Sequence, residues 1–116
     1  MESYRELKVW QKGMDLVISV YRITGTFPKS ETYGLASQMQ RASVSVPSNI
    51  AEGNALKQTK AYLRHLAIAS GSLAELETQL EIAERLGYST DRSAVLQANE
   101  IGRMLSALRR SLAEKL

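Results

Sequence analysis

Tyr62, Leu66, Ala69, Leu73, Leu76, Leu80 and Ala83 recur at alternating intervals of four and three residues. That spacing lays one apolar seam along a helix of about six turns and does not fit a strand, whose side chains alternate with period two. A seam this regular packs against other helices at shallow, coiled-coil-like angles. It predicts a helix from Thr59 or Lys60 to Leu86, closed by Gly87 as the left-handed residue past its end. The middle of that helix, Ala67 to Ala74, is small on nearly every side and includes Gly71. Glycine costs about 1 kcal/mol of helix propensity relative to alanine. The cost is explained if a neighbouring backbone, from another helix of the bundle or from a second subunit, comes close there.

The stretch QMQRASVSVPSNIAEG, Gln38 to Gly53, carries two helical stripes. Leu35, Met39, Ala42, Val46 and Ile50 form an apolar one; Gln38, Arg41, Ser45, Asn49 and Glu52 form a polar one. Pro47 sits inside both, where it removes a backbone donor and crowds the carbonyl of Ser43 at a cost of about 3 kcal/mol. The apolar stripe keeps its phase across Pro47. One kinked helix from an N-cap at Ser30 to about Ala55 therefore fits better than a break at Pro47, with Asn49 and Glu52 turned towards another helix. Arg41 is too far along the helix to pair with Glu52, so a partner from the third helix or another subunit is expected.

Two more helices complete the pattern. The first runs from Glu6 to Ile23, with Leu7, Trp10, Met14, Val17 and Tyr21 as its inner stripe. Gly25, Phe27 and Pro28 end it, and Phe27 is positioned either to plug one end of a bundle or to sit half-exposed in the loop. The fourth follows Ser89, Thr90 and Asp91, all good N-cap types, with Ala94, Ala98, Ile101, Leu105, Leu108 and Leu112 inside. Four amphipathic helices with short connections in 116 residues predict one all-α domain over residues 1–116, an antiparallel up-down-up-down four-helix bundle.

Several chemistries are excluded or weak. There is no cysteine, which removes disulfides and thiolate nucleophiles, and one histidine, His65, too few for zinc or di-iron ligation. His65 reads as a helix-surface residue. No P-loop, GxGxxG or nucleophile elbow is present. Glu75, Glu77, Glu81 and Glu84 lack the partners a catalytic carboxylate pair needs. No enzyme activity and no cofactor is expected. Charge interrupts the apolar segments before any could span a bilayer, and Met1 to Arg5 does not open a signal peptide, so a cytoplasmic protein is expected.

The net charge of +3 is unevenly placed. Residues 1–64 carry nine basic and five acidic side chains, whereas residues 65–86 carry four glutamates against Arg85 alone. Three basic edges stand out at helical spacing: Lys57, Lys60 and Arg64; Arg5, Lys8 and Lys12; Arg103 and Arg110. Such edges are either solvated helix faces or contacts for an anionic partner.

QMQRASVSVPSNIAEG and YLRHLAIASGSLAELET, Tyr62 to Thr78, together resemble the paired signatures of the 23S rRNA-intervening sequence protein family of bacterial four-helix bundles. LKVWQKGMDLVISVY and FPKSETYGLASQ fit as well, and the resemblance covers nearly the whole chain, weakest in the fourth helix. The chain departs at Tyr62, where the family has phenylalanine. Within these signatures Pro47, Asn49, Glu52, Gly53, Gly71 and Glu75 read as structural. A related branch, the accessory variability protein of diversity-generating retroelements, implies a basic homopentamer that binds nucleic acid and a reverse transcriptase. The resemblance thus implies a non-enzymatic oligomeric accessory protein binding RNA or DNA, with RNA favoured. The alternative is a structural or protein-interaction scaffold that makes no direct contact with nucleic acid.

Overall fold

The structure, a computed structural model, describes residues 3–116. Met1 and Glu2, part of the N-terminal stretch that does not open a signal peptide, lie outside the described residues. The described residues form four α-helices: α1 (Lys8–Thr24), α2 (Leu35–Ala55), α3 (Thr59–Arg85) and α4 (Ser93–Ala113). Short 3-10 turns at Tyr4–Glu6 and Lys29–Glu31 precede α1 and α2. Each helix packs against its two neighbours in the ring α1–α2–α3–α4, and no strand occurs among the described residues.

Neighbouring helices run antiparallel, as the contact pairs between them show. Gln40 near the start of α2 bonds Thr24 at the end of α1, while Pro47, further along α2, touches Gly13, further back in α1. Ser45 meets Ser72 and Asn49 meets His65 between α2 and α3. Arg92 pairs with Glu84 and Arg109 with Ser70 between α4 and α3. The result is a rod of 46 × 20 × 19 Å, its length set by α3, whose 27 residues span about 40 Å.

The core confirms three of the four apolar stripes. Met39, Ala42, Val46 and Ile50 of α2 are buried, as are Leu66, Ala69, Leu73, Leu76, Leu80 and Ala83 of α3 and Ala94, Ala98, Ile101, Leu105 and Leu112 of α4; Leu35, Tyr62 and Leu108 of the same stripes are half-buried. The stripe expected for the first helix is rotated. Val9, Leu16, Val20 and Ile23 point inward, whereas Met14 and Tyr21 are 42% and 48% exposed. The cause is Gly13, which completes the true inner face: it lies against Pro47, and a Cβ there would come 3.3 Å from the proline's own Cβ. A buried glycine carries no apolar signal, so α1 presents its close approach to α2 as a gap in the pattern.

The helix ends differ from expectation in detail. As expected, α2 continues unbroken through Pro47, which is buried. Ser30 is not its N-cap but part of the 3-10 turn; Glu31 reaches forward instead, and its Oε1 accepts the Leu35 N–H at 3.1 Å. Asp91 accepts from the Ser93 N–H at 2.8 Å and so caps the start of α4 from just outside it. At the end of α3, Gly87 has φ +75°, its N–H bonds the Glu84 carbonyl, and the Tyr88 N–H bonds Ala83. This is the paired bond pattern of a glycine-closed helix. Phe27 does plug that end: it is buried, with its ring 5.3 Å from that of Tyr88.

Candidate nucleic-acid interface

Antiparallel packing decides where the charges go. The start of α1, the α2–α3 turn and the end of α4 lie at one end of the rod. The two basic edges centred on Lys8 and Lys60, far apart in sequence and on helices that do not touch, therefore share that end with Arg109, Arg110 and Lys115 of α4. Taking residues 3–15, 46–71 and 104–116 as that half, it carries nine lysines and arginines against four acidic residues. The other half of the described chain carries six against seven. The rod is basic at one end and slightly acidic at the other.

Local physics does not require this arrangement. Lys8 is the first residue of α1 and Lys60 the second of α3, and neither first turn holds an acidic side chain. Cations there face the positive end of the helix dipole, at a cost of about 0.3–1 kcal/mol each. Lys57, Lys60 and Arg64 are all exposed. Lys57 also takes a left-handed backbone, φ 59°, a conformation that favours glycine. Arg103 and Arg110 are exposed and line one shallow groove between α3 and α4, with Glu77, Asn99, Gly102 and Ser106. Arg110 and Ser106 continue into a second hollow with Leu63, Arg109 and Ala113. Lys12 is the exception among the expected cations: it pairs with Glu100 of α4 at 3.4 Å and so joins two helices.

Arg5 is placed with more care than its neighbours. Its N–H donates to Ser3 Oγ at 3.1 Å and its carbonyl accepts from Gln11 Nε2 at 2.9 Å. The guanidinium lies 5.6 Å from the centre of the Tyr4 ring and 5.7 Å from that of Trp10.

A second polar feature runs inside the α2–α3 contact. Ser72 Oγ lies 2.7 Å from Ser45 Oγ, and Asn49 Nδ2 donates to both the Ser45 carbonyl and its hydroxyl. That fixes the Asn49 amide so that its Oδ1 faces His65, whose Nδ1 donates to it at 3.0 Å. The other ring nitrogen, Nε2, stands 3.8 Å from Glu52 Oε2. His65 is thus not a surface residue: its side chain is 13% exposed and ties Asn49 of the α2 signature to α3, whereas Glu52 is 65% exposed. Sequence reasoning missed it because its partners lie on another helix, although the expectation of an α3 partner for Glu52 pointed at it. Gly53 makes the approach possible, since a Cβ there would fall 2.7 Å from that of His65. Gly71, by contrast, has nothing within 4 Å of where its Cβ would be. No neighbour among the described residues explains it.

Glu75 accepts from Gln79 one turn on, a local role. No group of three or more metal-ligating side chains occurs among the described residues, and none of their helices is long and apolar enough to cross a membrane.

No curated protein sequence matches the chain. Among solved structures it is similar to a protein of unknown function from the S23 ribosomal protein family of Bacteroides thetaiotaomicron. The TM-score is 0.81 at 21% identity, over 88% of this chain and 95% of that one, which supports the fold. The sequence profile described as 23S rRNA-intervening sequence protein matches residues 5–107, from the Arg5 turn through all but the last residues of α4. With both signature stretches inside that match, the chain belongs to the 23S rRNA-intervening sequence protein family.

Proposed function

We propose that this chain is a cytoplasmic, non-enzymatic accessory protein that assembles into homo-oligomers and binds nucleic acid, RNA by preference, through its basic end. The observation that carries the reading is the pair of lysines, Lys8 and Lys60, set at helix N-termini on the same end of the rod. Folding gains nothing from a cation at either place, whereas a phosphate backbone would. The family's description, which ties it to an intervening sequence of 23S rRNA, favours RNA as the ligand. Binding is driven by charge and shape, because phosphate contacts position a nucleic acid without reading its sequence.

The outer face of α3 supports the oligomer. Ala67, Ile68, Gly71 and Ala74 are all exposed and small or apolar, and nothing among the described residues stands within 4 Å of the Gly71 Cβ position. Five copies is the number proposed, following the resemblance to the retroelement branch. The same face favours the second reading, a scaffold that binds only proteins.

Titration with structured RNA and with duplex DNA at several salt concentrations separates the two readings. Nucleic-acid binding predicts log K falling linearly with log salt, by about 0.7 to 0.9 per phosphate neutralised. Lys57→Glu with Lys60→Glu should weaken binding at low salt. No binding at low salt by an intact, folded oligomer leaves the scaffold reading.

A further inference from the structure

We infer that Tyr4, Arg5 and Trp10 form a stacking site for an unpaired base, so that the basic end takes single-stranded nucleic acid in preference to duplex. The inference rests on the nucleic-acid reading above and specifies its ligand.

The sequence shows no aromatic pair on a common platform, since Tyr4 and Trp10 are six residues apart and belong to different elements. The 3-10 turn brings them together: their ring centres are 5.4 Å apart, edge to face, with an interplanar angle of 62°. Arg5 lies over both rings and is exposed, while the two aromatics are half-buried. Its backbone is held on both sides, by Ser3 at the N–H and by Gln11 at the carbonyl. A lone cation on a flexible terminus needs no such fixing. Here the turn holds a planar cation and two rings in one cluster at the basic end, beside Lys8.

An exposed guanidinium already backed by aromatic rings is a surface on which a nucleobase stacks, and its N–H groups reach the adjoining phosphate. Bases in a duplex are stacked on each other and offer no free face, so the site discriminates by strandedness rather than by sequence. Trp10 is the only tryptophan in the chain, which makes its emission a direct report on this cluster.

The test is titration of the full-length protein at low salt with single-stranded RNA and with duplex RNA of equal length. Binding is followed by anisotropy of an end-labelled strand and, separately, by Trp10 emission with unlabelled strands. Single strands should change Trp10 emission in step with binding, and duplex should not. Tyr4→Ala should weaken single-strand binding about five- to a hundredfold. Arg5→Lys, which keeps the charge and loses the plane, should weaken single-strand binding by a larger factor than duplex binding. Melting temperature checks that both variants remain folded; if Tyr4→Ala unfolds, Arg5→Lys and the emission of the unmodified protein decide. Saturable single-strand binding with unchanged Trp10 emission, and with Arg5→Lys equal to the parent, overturns the stacking site and leaves the basic-end reading standing. Absence of binding to either strand form overturns both.

Discussion

A Cβ on Gly53 of α2 would meet the Cβ of His65 on α3 at 2.7 Å, and Tyr62 Cδ1 at 3.1 Å. The two helices approach at Gly53 more closely than any side chain permits. Gly53→Ala should therefore destabilise the bundle, although alanine is the better helix former. Forcing the helices apart costs about 1–3 kcal/mol, against about 1 kcal/mol of gained propensity. Chemical denaturation checks it, and a midpoint at or above that of the parent contradicts the close approach.

Tyr62 makes the opposite case. Its hydroxyl is buried beside Asn54 without a well-aligned hydrogen bond, and burial pushes the phenol's pKa up. Leaving such a group unpaired costs about 1–3 kcal/mol. Tyr62→Phe should raise stability by roughly 1 kcal/mol, read as a higher denaturation midpoint with unchanged slope.

Glu31 ties three elements together at the far end of the rod. The Leu35 N–H, and then the Tyr88 hydroxyl, hold its carboxyl below the usual 4.5. A depressed carboxylate contributes stability that is fully present above the ordinary value and is lost as pH falls through the lower, folded one. Glu31→Gln should be less stable than the parent at pH 7, and the gap should close as the solution is acidified below 4.5 and through the lower, folded value. Thermal melts across that range test it; a gap that does not change with pH contradicts the role given to the charge.

How legible these features were in the sequence depended on the kind of signal. α2 and α3 could be read because their apolar residues keep one phase from end to end, through Pro47 in one and Gly71 in the other. α1 carries apolar side chains on two faces, and the face that wins is completed by Gly13, whose role appears only against Pro47. The cations were legible singly, but their convergence needed the antiparallel order of the helices. His65 and the Tyr4–Trp10 pair depended on which helix or turn lies opposite, and no spacing encodes that.

Gly71 is the place to test assembly. Nothing among the described residues stands within 4 Å of its Cβ position, so Gly71→Leu should leave the helical content and the fold intact. If a second copy packs on the Ala67–Ala74 face, the added side chain should lower the mass measured by light scattering. A mass unchanged from an oligomeric parent places the contact elsewhere, and a monomeric parent at micromolar concentration contradicts the oligomer itself.

The most direct measurement compares charge reversal at the two ends of the rod. Lys57→Glu with Lys60→Glu alters the basic end; Arg22→Glu with Lys29→Glu makes the same change in net charge at the other, where both side chains are exposed. RNA binding is measured for each across a range of salt. The account predicts that the Lys57/Lys60 pair loses most of its affinity at low salt and that its salt slope shrinks by roughly 1–2. The bundle should remain folded, since Lys60→Glu removes a cation from a helix N-terminus. The Arg22/Lys29 pair should bind nearly as the parent does. Equal losses from both pairs would mean that only net charge matters, and no loss from Lys57 and Lys60 would contradict the basic end as the binding surface.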